Sequence, residues 1–446
     1  VDQVSALRPD GRRNFVVPAD VGGRFTVLRR IVFALLILIY AATPWIEIGG
    51  HPALFLDIQH RAFYLFGATF NAQDFWLAFF LLSGVGFLLI LATALLGRVW
   101  CGYACPQTVF LDGVFRRVER LIEGPRNQRL KRDAGPVTAS RGLRKVVKHV
   151  AFIAIAFVVA HVFLSYFVSI PALFEMMRDR PSEHPEAFAW ALGMTGVMYF
   201  NFAWFREQLC VIICPYGRLQ SVLTDSNTLV IGYDQLRGEP RGKAKEKGHG
   251  DCVDCGRCVV VCPTGIDIRN GLQLECIGCA ACIDACDDVM HRLERAPGLI
   301  RYDSLNGLRR KPKRFFRPRV YLYAFLGLVG LAVATFALQK HTHFEANLLR
   351  LQGAPFVLDA DKVRNALELH LVNKRGSPVT FALSAADATD IEYVFARREL
   401  TLAPLGEQRV PVFAIAPNDK QPRRIRIRID DGAEPRIAEV PFVAPK

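Results

Sequence analysis

Eight cysteines in two copies of one spacing constrain this chain more than any other feature. The run Cys252-x2-Cys255-x2-Cys258-x3-Cys262-Pro263 recurs as Cys276-x2-Cys279-x2-Cys282-x3-Cys286. Short Cys-x2-Cys turns aim three sulfurs at one point while a fourth arrives from farther along, which is the spacing that wraps a [4Fe–4S] cube. In two-cluster ferredoxins that fourth cysteine serves the other cube. Cys252, Cys255, Cys258 and Cys286 are therefore predicted to hold one cluster, and Cys276, Cys279, Cys282 and Cys262 the second. Asp287 stands where the second copy would carry its proline, which loosens the backbone and removes no ligand. Zinc would more often use paired knuckles with long spacers. Electron transfer follows from the motif.

Half of the residues are apolar, 51%, and the mean hydropathy of +0.20 is too high for an ordinary soluble chain of 446 residues. Five segments carry the load, at 27–48, 75–97, 146–170, 187–205 and 320–338, each near the ~20 residues that a bilayer-spanning helix needs. Lysine and arginine alternate along them: six in residues 1–30, Arg61 alone in 49–74, twelve in 98–148, Arg178 and Arg180 alone in 171–186, and nineteen in 206–319. Because positive loops stay inside, the N-terminus and the cluster domain are predicted to be cytoplasmic and everything beyond the fifth span external. The net charge of +14 then reads as topology and as attraction to anionic lipid, through Arg126 to Lys148. No nucleic-acid motif accompanies it. All twelve cysteines fall in or beside cytoplasmic segments, so metal ligands are expected and disulfides are not.

The other four cysteines form an internal repeat. Trp100-Cys101-Gly102-Tyr103-Ala104-Cys105-Pro106 and Leu209-Cys210-Val211-Ile212-Ile213-Cys214-Pro215 are two copies of Cys-x3-Cys-Pro, 109 residues apart. Each follows the second helix of a hairpin, so the first four spans read as two parallel repeats that bring equivalent helix ends together. Cysteines four apart share one helical face, and the proline breaks the helix after them. Two such pairs would make a four-sulfur pocket at the cytoplasmic rim, fit for Cu(I), zinc or a further iron–sulfur centre; small apolar packing is the plainer alternative. Beyond the first break, Val109, Phe110, Val114, Phe115, Val118, Leu121 and Ile122 alternate with Arg116, Arg117 and Arg120, as in a helix lying on the membrane surface.

His161 lies within the third span, where it is expected to be hydrogen-bonded inside the bundle, since no other span offers a second haem ligand. His341 and His343 stand just outside the fifth span. Residues 233–250, with Arg237 to Gly242 at their centre, read as a solvated linker. From about 345 onward, short alternating runs such as Leu367 to Val372, Val410 to Ile415 and Arg424 to Ile429 are separated by turn signals, the pattern of an immunoglobulin-like sandwich.

The domains are expected at 1–26 (cytoplasmic segment), 27–232 (four-helix membrane domain), 233–319 (linker and two-cluster ferredoxin domain), 320–340 (fifth span) and 341–446 (external sandwich). The fold class is thus an α-helical membrane protein of about five spans, two parallel hairpin repeats plus one, with a cytoplasmic ferredoxin-like domain and an all-β immunoglobulin-like domain.

The chain closely resembles the cytochrome c oxidase accessory protein family CcoG, also called FixG or RdxA. The matching residues, in order, are Pro44-Trp45-Ile46 with Gly49-Gly50, Arg61 to Gly67, Trp100 to Pro106, Phe205 to Arg218, Arg237 to Gly242, both cluster motifs and the outer domain. The resemblance implies a protein of the bacterial inner membrane, with a periplasmic C-terminal domain, that reduces Cu(II) to Cu(I) for assembly of cbb3-type cytochrome c oxidase. It also implies a copper-transporting P-type ATPase and other assembly factors as partners. On this reading Cys101, Cys105, Cys210 and Cys214 are the catalytic, copper-holding residues, two [4Fe–4S] clusters are the cofactors, and an unidentified cytoplasmic donor supplies electrons. A homodimer is compatible with it. No Gly-x-Gly-x-x-Gly fingerprint is present, so direct hydride uptake from a nicotinamide is not expected. Two further readings stand beside it: a quinone-linked membrane ferredoxin, and a non-enzymatic copper chaperone or assembly scaffold.

Overall fold

The computed structural model of the protein describes residues 15–48, 51–58, 62–71, 75–245, 248–339, 344–351, 353–359, 361–375, 377–387, 390–404, 406–419, 421–433 and 435–445. The chain divides into two compact units, residues 1–45 with 78–334 and residues 46–77 with 335–446.

Four helices among the described residues are long and apolar enough to cross a bilayer: Arg24–Trp45, Phe79–Leu96, Ala139–Leu164 and Pro318–Phe336. Helices satisfy their own backbone polar groups, so they are the form an apolar run must take in lipid. Leu38, Leu82, Val158 and Phe325 on them remain exposed to the surroundings, as a lipid-facing surface requires. The protein is a membrane protein.

The span expected over 187–205 departs from this pattern. It is a 16-residue helix, Pro185–Phe200, passing into a π turn at Asn201–Phe205. The Asn201 side-chain amide donates to Gln107 at 2.6 Å and accepts from it at 3.2 Å. An amide held sideways in this way accompanies a widened turn of the kind often found at functional sites. Below it, Phe115 stacks on Phe202 with ring centroids 4.5 Å apart and meets Phe152 edge-on at 5.1 Å. All three rings are buried, and close packing of this kind holds helices together where lipid surrounds them.

The ferredoxin domain is built on two short antiparallel strands, Val230–Tyr233 and Ile300–Asp303, with Val230 opposite Asp303. Ile231, Ile266, Ile268, Ile283, Met290, Leu299 and Ile300 fill its core. The described residues of 233–250 do not form the free solvated linker that their composition suggests. Arg237 bonds Asp251, Ala296 and, at 2.9 Å, the Pro297 carbonyl, while the Gly242 N–H donates to the Cys252 carbonyl at 3.3 Å. The glycine- and arginine-rich string packs against the first cluster loop.

In the second unit, Phe344–Arg350, Val357–Asp359, Lys362–Asn373, Glu392–Phe395 and Glu407–Pro417 form one antiparallel sheet. Val379–Ala385, Glu399–Leu402, Arg424–Asp430 and Arg436–Pro441 form the other. Leu367, Leu369 and Leu371 share one face with Val410, Val412 and Ala414 opposite, and Phe381, Ile425, Ile427 and Ile429 close the core from the facing sheet. Alternation with period two puts these residues inside and their neighbours out. The sandwich expected from the sequence is present.

Candidate functional site

The two sets of cluster cysteines assemble with their fourth members exchanged, as the spacing implies. Cys286 lies among Cys252, Cys255 and Cys258, all four lining one small cavity. Cys262 lies with Cys276, Cys279 and Cys282 around a second. Only Cys255 is exposed. Burial pushes the Cys258, Cys276 and Cys286 thiols up to about 12 and Cys279 to about 11. Thiols so placed keep their protons unless a cation replaces them, and the iron of a cluster is such a charge. The residues present fit two [4Fe–4S] clusters.

The two Cys-x3-Cys-Pro elbows have the same local geometry. The Cys105 N–H reaches back five residues to the Trp100 carbonyl at 2.9 Å, and the Cys214 N–H to that of Leu209 at 2.8 Å. Both cysteines are extended (φ −62°, ψ 126° and 111°), and both prolines open the next helix, Pro106–Phe110 and Pro215–Leu223. Proline is tolerated there because a first-turn N–H has no helical partner.

The four rim cysteines are near neighbours of one another. Burial raises the Cys210 thiol to about 12, and Cys105, Cys101 and Cys214 add to the rise as near neighbours. Burial likewise raises Cys101 to about 11, partly offset by Gln220, whose fully buried amide donates to the Cys101 sulfur at 3.4 Å. Among the described residues, no three His, Cys, Asp or Glu side chains close on a single ion. The eight ferredoxin cysteines share that property, because the corners of a cube stand farther apart than the ligands of one ion.

Charged residues hold this rim in place. Arg206, at φ 52°, turns the chain between the π segments Asn201–Phe205 and Leu209–Ile213. Its guanidinium forks onto Glu119 at 2.8 and 3.1 Å, and Glu119 also meets Arg129 and Lys148. Nearby, Asp112 accepts from Arg29 at 2.8 Å and Arg116 at 2.7 Å, and Arg116 continues to Glu207 at 3.0 Å and the Pro263 carbonyl at 2.9 Å. Arg116, on the helix Arg116–Glu123, is therefore paired rather than solvated. Glu119 and Glu123 are each 2% exposed, whereas Leu121 is 82% exposed. Apolar periodicity misled here because the inward face is ionic.

The rim touches the second cluster set. Cys101 packs in one apolar group with Val261, Ile277, Cys279, Ala281 and Ala285. Arg29 Nε donates to the Gly102 carbonyl at 3.0 Å, and Arg98 donates to the carbonyls of Leu274, Cys276 and Gly217. Sequence reasoning missed Arg29, Arg98, Asp112, Glu119 and Glu207. The available signal was an acid or base inside or beside a largely apolar run, which is costly unless paired.

His161 bonds within its own helix, to the Phe157 carbonyl at 2.8 Å, rather than across the bundle. His341 and His343 lie outside the described residues.

Comparison with known proteins agrees with this site. A 4Fe-4S dicluster domain family matches residues 205–305, a 4Fe-4S binding domain family matches 77–125, and the family of the Ig-like fold at the C-terminus of FixG matches 334–445. Protein RdxA of Cereibacter sphaeroides is 35% identical over 97% of this chain and 96% of its own. The nitrogen fixation protein FixG of Rhizobium meliloti is 36% identical over 86% and 82%, and RdxB of Cereibacter sphaeroides 34% over 85% and 83%. With its two [4Fe–4S] clusters the chain is an iron–sulfur electron-transfer protein, and it belongs to the FixG/RdxA family.

Proposed function

We propose that this protein reduces Cu(II) to Cu(I) at the quartet Cys101, Cys105, Cys210 and Cys214, supplying copper for assembly of a cbb3-type cytochrome c oxidase. The reading rests on four thiols from segments 109 residues apart that are electrostatic near neighbours at one rim, and on Cys101 of that quartet, which packs beside a cluster ligand. Thiolates are soft donors that favour Cu(I), so the quartet stabilises the product of the reaction more than its substrate. The clusters, when bound, supply the electrons one at a time. Burial keeps the Cys101 and Cys210 thiols protonated at rest, and ligation of copper releases those protons. Gln220 orients the Cys101 sulfur, and Arg206 with Glu119 fixes the turn that delivers Cys210. The alternation of Lys and Arg supports a cytoplasmic ferredoxin domain and a periplasmic sandwich in the inner membrane. A copper-transporting P-type ATPase is the proposed recipient of the product, and an unidentified cytoplasmic donor the source of electrons.

The test is Cys210→Ser. Cupric reduction is expected to be lost while the EPR signal of both reduced clusters is kept. Retained copper reduction contradicts the proposal.

One observation favours a second reading, in which the quartet holds a third [4Fe–4S] cluster. The 4Fe-4S binding family that matches residues 77–125 spans Cys101 and Cys105. Iron content separates the two, at about eight per chain against about twelve.

A further inference from the structure

The two cluster loops share a spacing but differ in where they place glycine. In each Cys-x2-Cys turn the residue before the second cysteine is left-handed: Asp254 at φ 47° in the first loop and Gly278 at φ 67° in the second. The first loop tolerates a side chain there, and Asp254 pairs with Arg269. Two residues later the pattern reverses, with Gly256 at φ 65° in the first loop and Ala280 at φ 61° in the second. The left-handed backbone therefore does not by itself demand glycine in these turns.

Contact does. A methyl group on Gly278 would stand 2.9 Å from the Arg98 carbonyl oxygen, and one on Gly102 would stand 2.8 Å from the Ile277 oxygen and 2.9 Å from that of Gly278. Neither obstacle is a flexible side chain. A methyl group on Gly256 would meet nothing within 4 Å. Backbone thus lies directly on backbone between the Cys276–Cys279 turn and the short helix Val99–Tyr103 that carries Cys101. Arg98 clamps the turn from one side through the Leu274 and Cys276 carbonyls, and Arg29 holds the Gly102 carbonyl from the other. The first copy reaches the rim only beyond its ligand turn, through Val261 and the Pro263 carbonyl; Cys255 of the turn itself is exposed.

We propose that electrons leave the ferredoxin domain through the second cluster set alone, across the Gly102–Gly278 junction to the rim quartet. This rests on the reading of the quartet as the site of copper reduction. Each crossing moves one electron: the reduced cluster returns to its oxidised state and one Cu(II) becomes Cu(I), with no atom transferred. Gly102, Gly278 and Arg98 are positioning residues, since they set the separation of the two sites; the Gly278 N–H also donates to the Cys276 sulfur, a bond of the backbone that an alanine keeps.

The test uses the full-length protein with both clusters, reduced by dithionite, freed of excess reductant and mixed anaerobically with Cu(II). In Gly278→Ala, and in Arg98→Gln should that glycine variant fold poorly, iron content, cluster EPR and reduction by dithionite are expected to match the wild type. Reoxidation by Cu(II) is expected to slow roughly tenfold or more, because small displacements between reacting groups are costly. Maleimide labelling of Cys101 is expected to speed up several-fold as the cover lifts. Gly256→Ala should change neither rate beyond twofold. Wild-type reoxidation in both junction variants, or equal slowing in Gly256→Ala, overturns the proposal. Unchanged reoxidation in Cys210→Ser would instead remove the copper reading, and the junction is then decided by the labelling of Cys101.

Discussion

In the ferredoxin domain each ligand set is drawn from within 35 residues of chain, on tight turns packed by Ile266, Ile268 and Ile283. The rim quartet is drawn from two elbows 109 residues apart, and ion pairs among Asp112, Arg116, Glu119 and Arg206 tie the surrounding segments together. The first arrangement is local, and its geometry follows from spacing. The second is tertiary and electrostatic. Removing one partner of a buried pair leaves the other charge stranded, so the rim should be sensitive to single charge changes along several segments, whereas the ferredoxin domain should register them at pairs such as Arg269 with Asp267.

Cys282→Ser breaks the comparison most sharply. It removes a buried ligand of the second set, and half of the iron and one component of the reduced EPR spectrum should disappear. The first set and the labelling of Cys214 should persist, which separates local cluster loss from global unfolding.

Glu119→Gln comes next. Stranding Arg206, Arg129 and Lys148 should cost about 3–5 kcal/mol, read as a lower melting temperature of the membrane unit with cluster absorbance retained until that transition. The same carboxylate gives a pH dependence. Burial alone would raise it, but Arg206, Arg129 and Lys148 outweigh burial and hold it at about 2, below its usual 4.5. A carboxylate depressed in the fold contributes stability above pH 4.5, and that contribution is lost as pH falls from 4.5 through about 2. Acid titration of Glu119→Gln should lack this part of the wild-type transition.

Leu369→Ala addresses the second unit, where Leu369 is wholly buried between the sheets. It should destabilise the sandwich by about 2–5 kcal/mol and leave iron content and cluster EPR unchanged. The smallest effect belongs to Thr138, whose hydroxyl accepts from the Arg141 N–H at 3.3 Å at the start of the Ala139–Leu164 helix. Thr138→Ala should lower the stability of that helix by about 1 kcal/mol, a shift small enough to need paired melting curves.

Much of this was legible from residues alone, and for physical reasons. Spacing places the eight ferredoxin cysteines because each ligand turn is only a few residues long. Period-two alternation places Leu367, Leu369 and Leu371 because a strand has two faces. The elbows repeat in sequence and in hydrogen bonding because the proline after each pair enforces the same break. Tertiary pairing was not legible. Asn201 could not be paired with Gln107 by pattern, and so the π turn that follows the helix at 185–200 was not legible. Arg116 looked solvated because its partners, Asp112, Glu207 and the Pro263 carbonyl, come in part from distant segments. The packing of the Arg237–Gly242 string was hidden by a composition that usually marks flexible chain.

The account turns on what the rim quartet holds, and metal analysis of anaerobically purified protein after addition of Cu(II) reads this directly. About eight irons per chain together with copper bound as Cu(I), the copper lost in Cys210→Ser, is the predicted result. About twelve irons per chain, or copper that stays bound in Cys210→Ser, would contradict it.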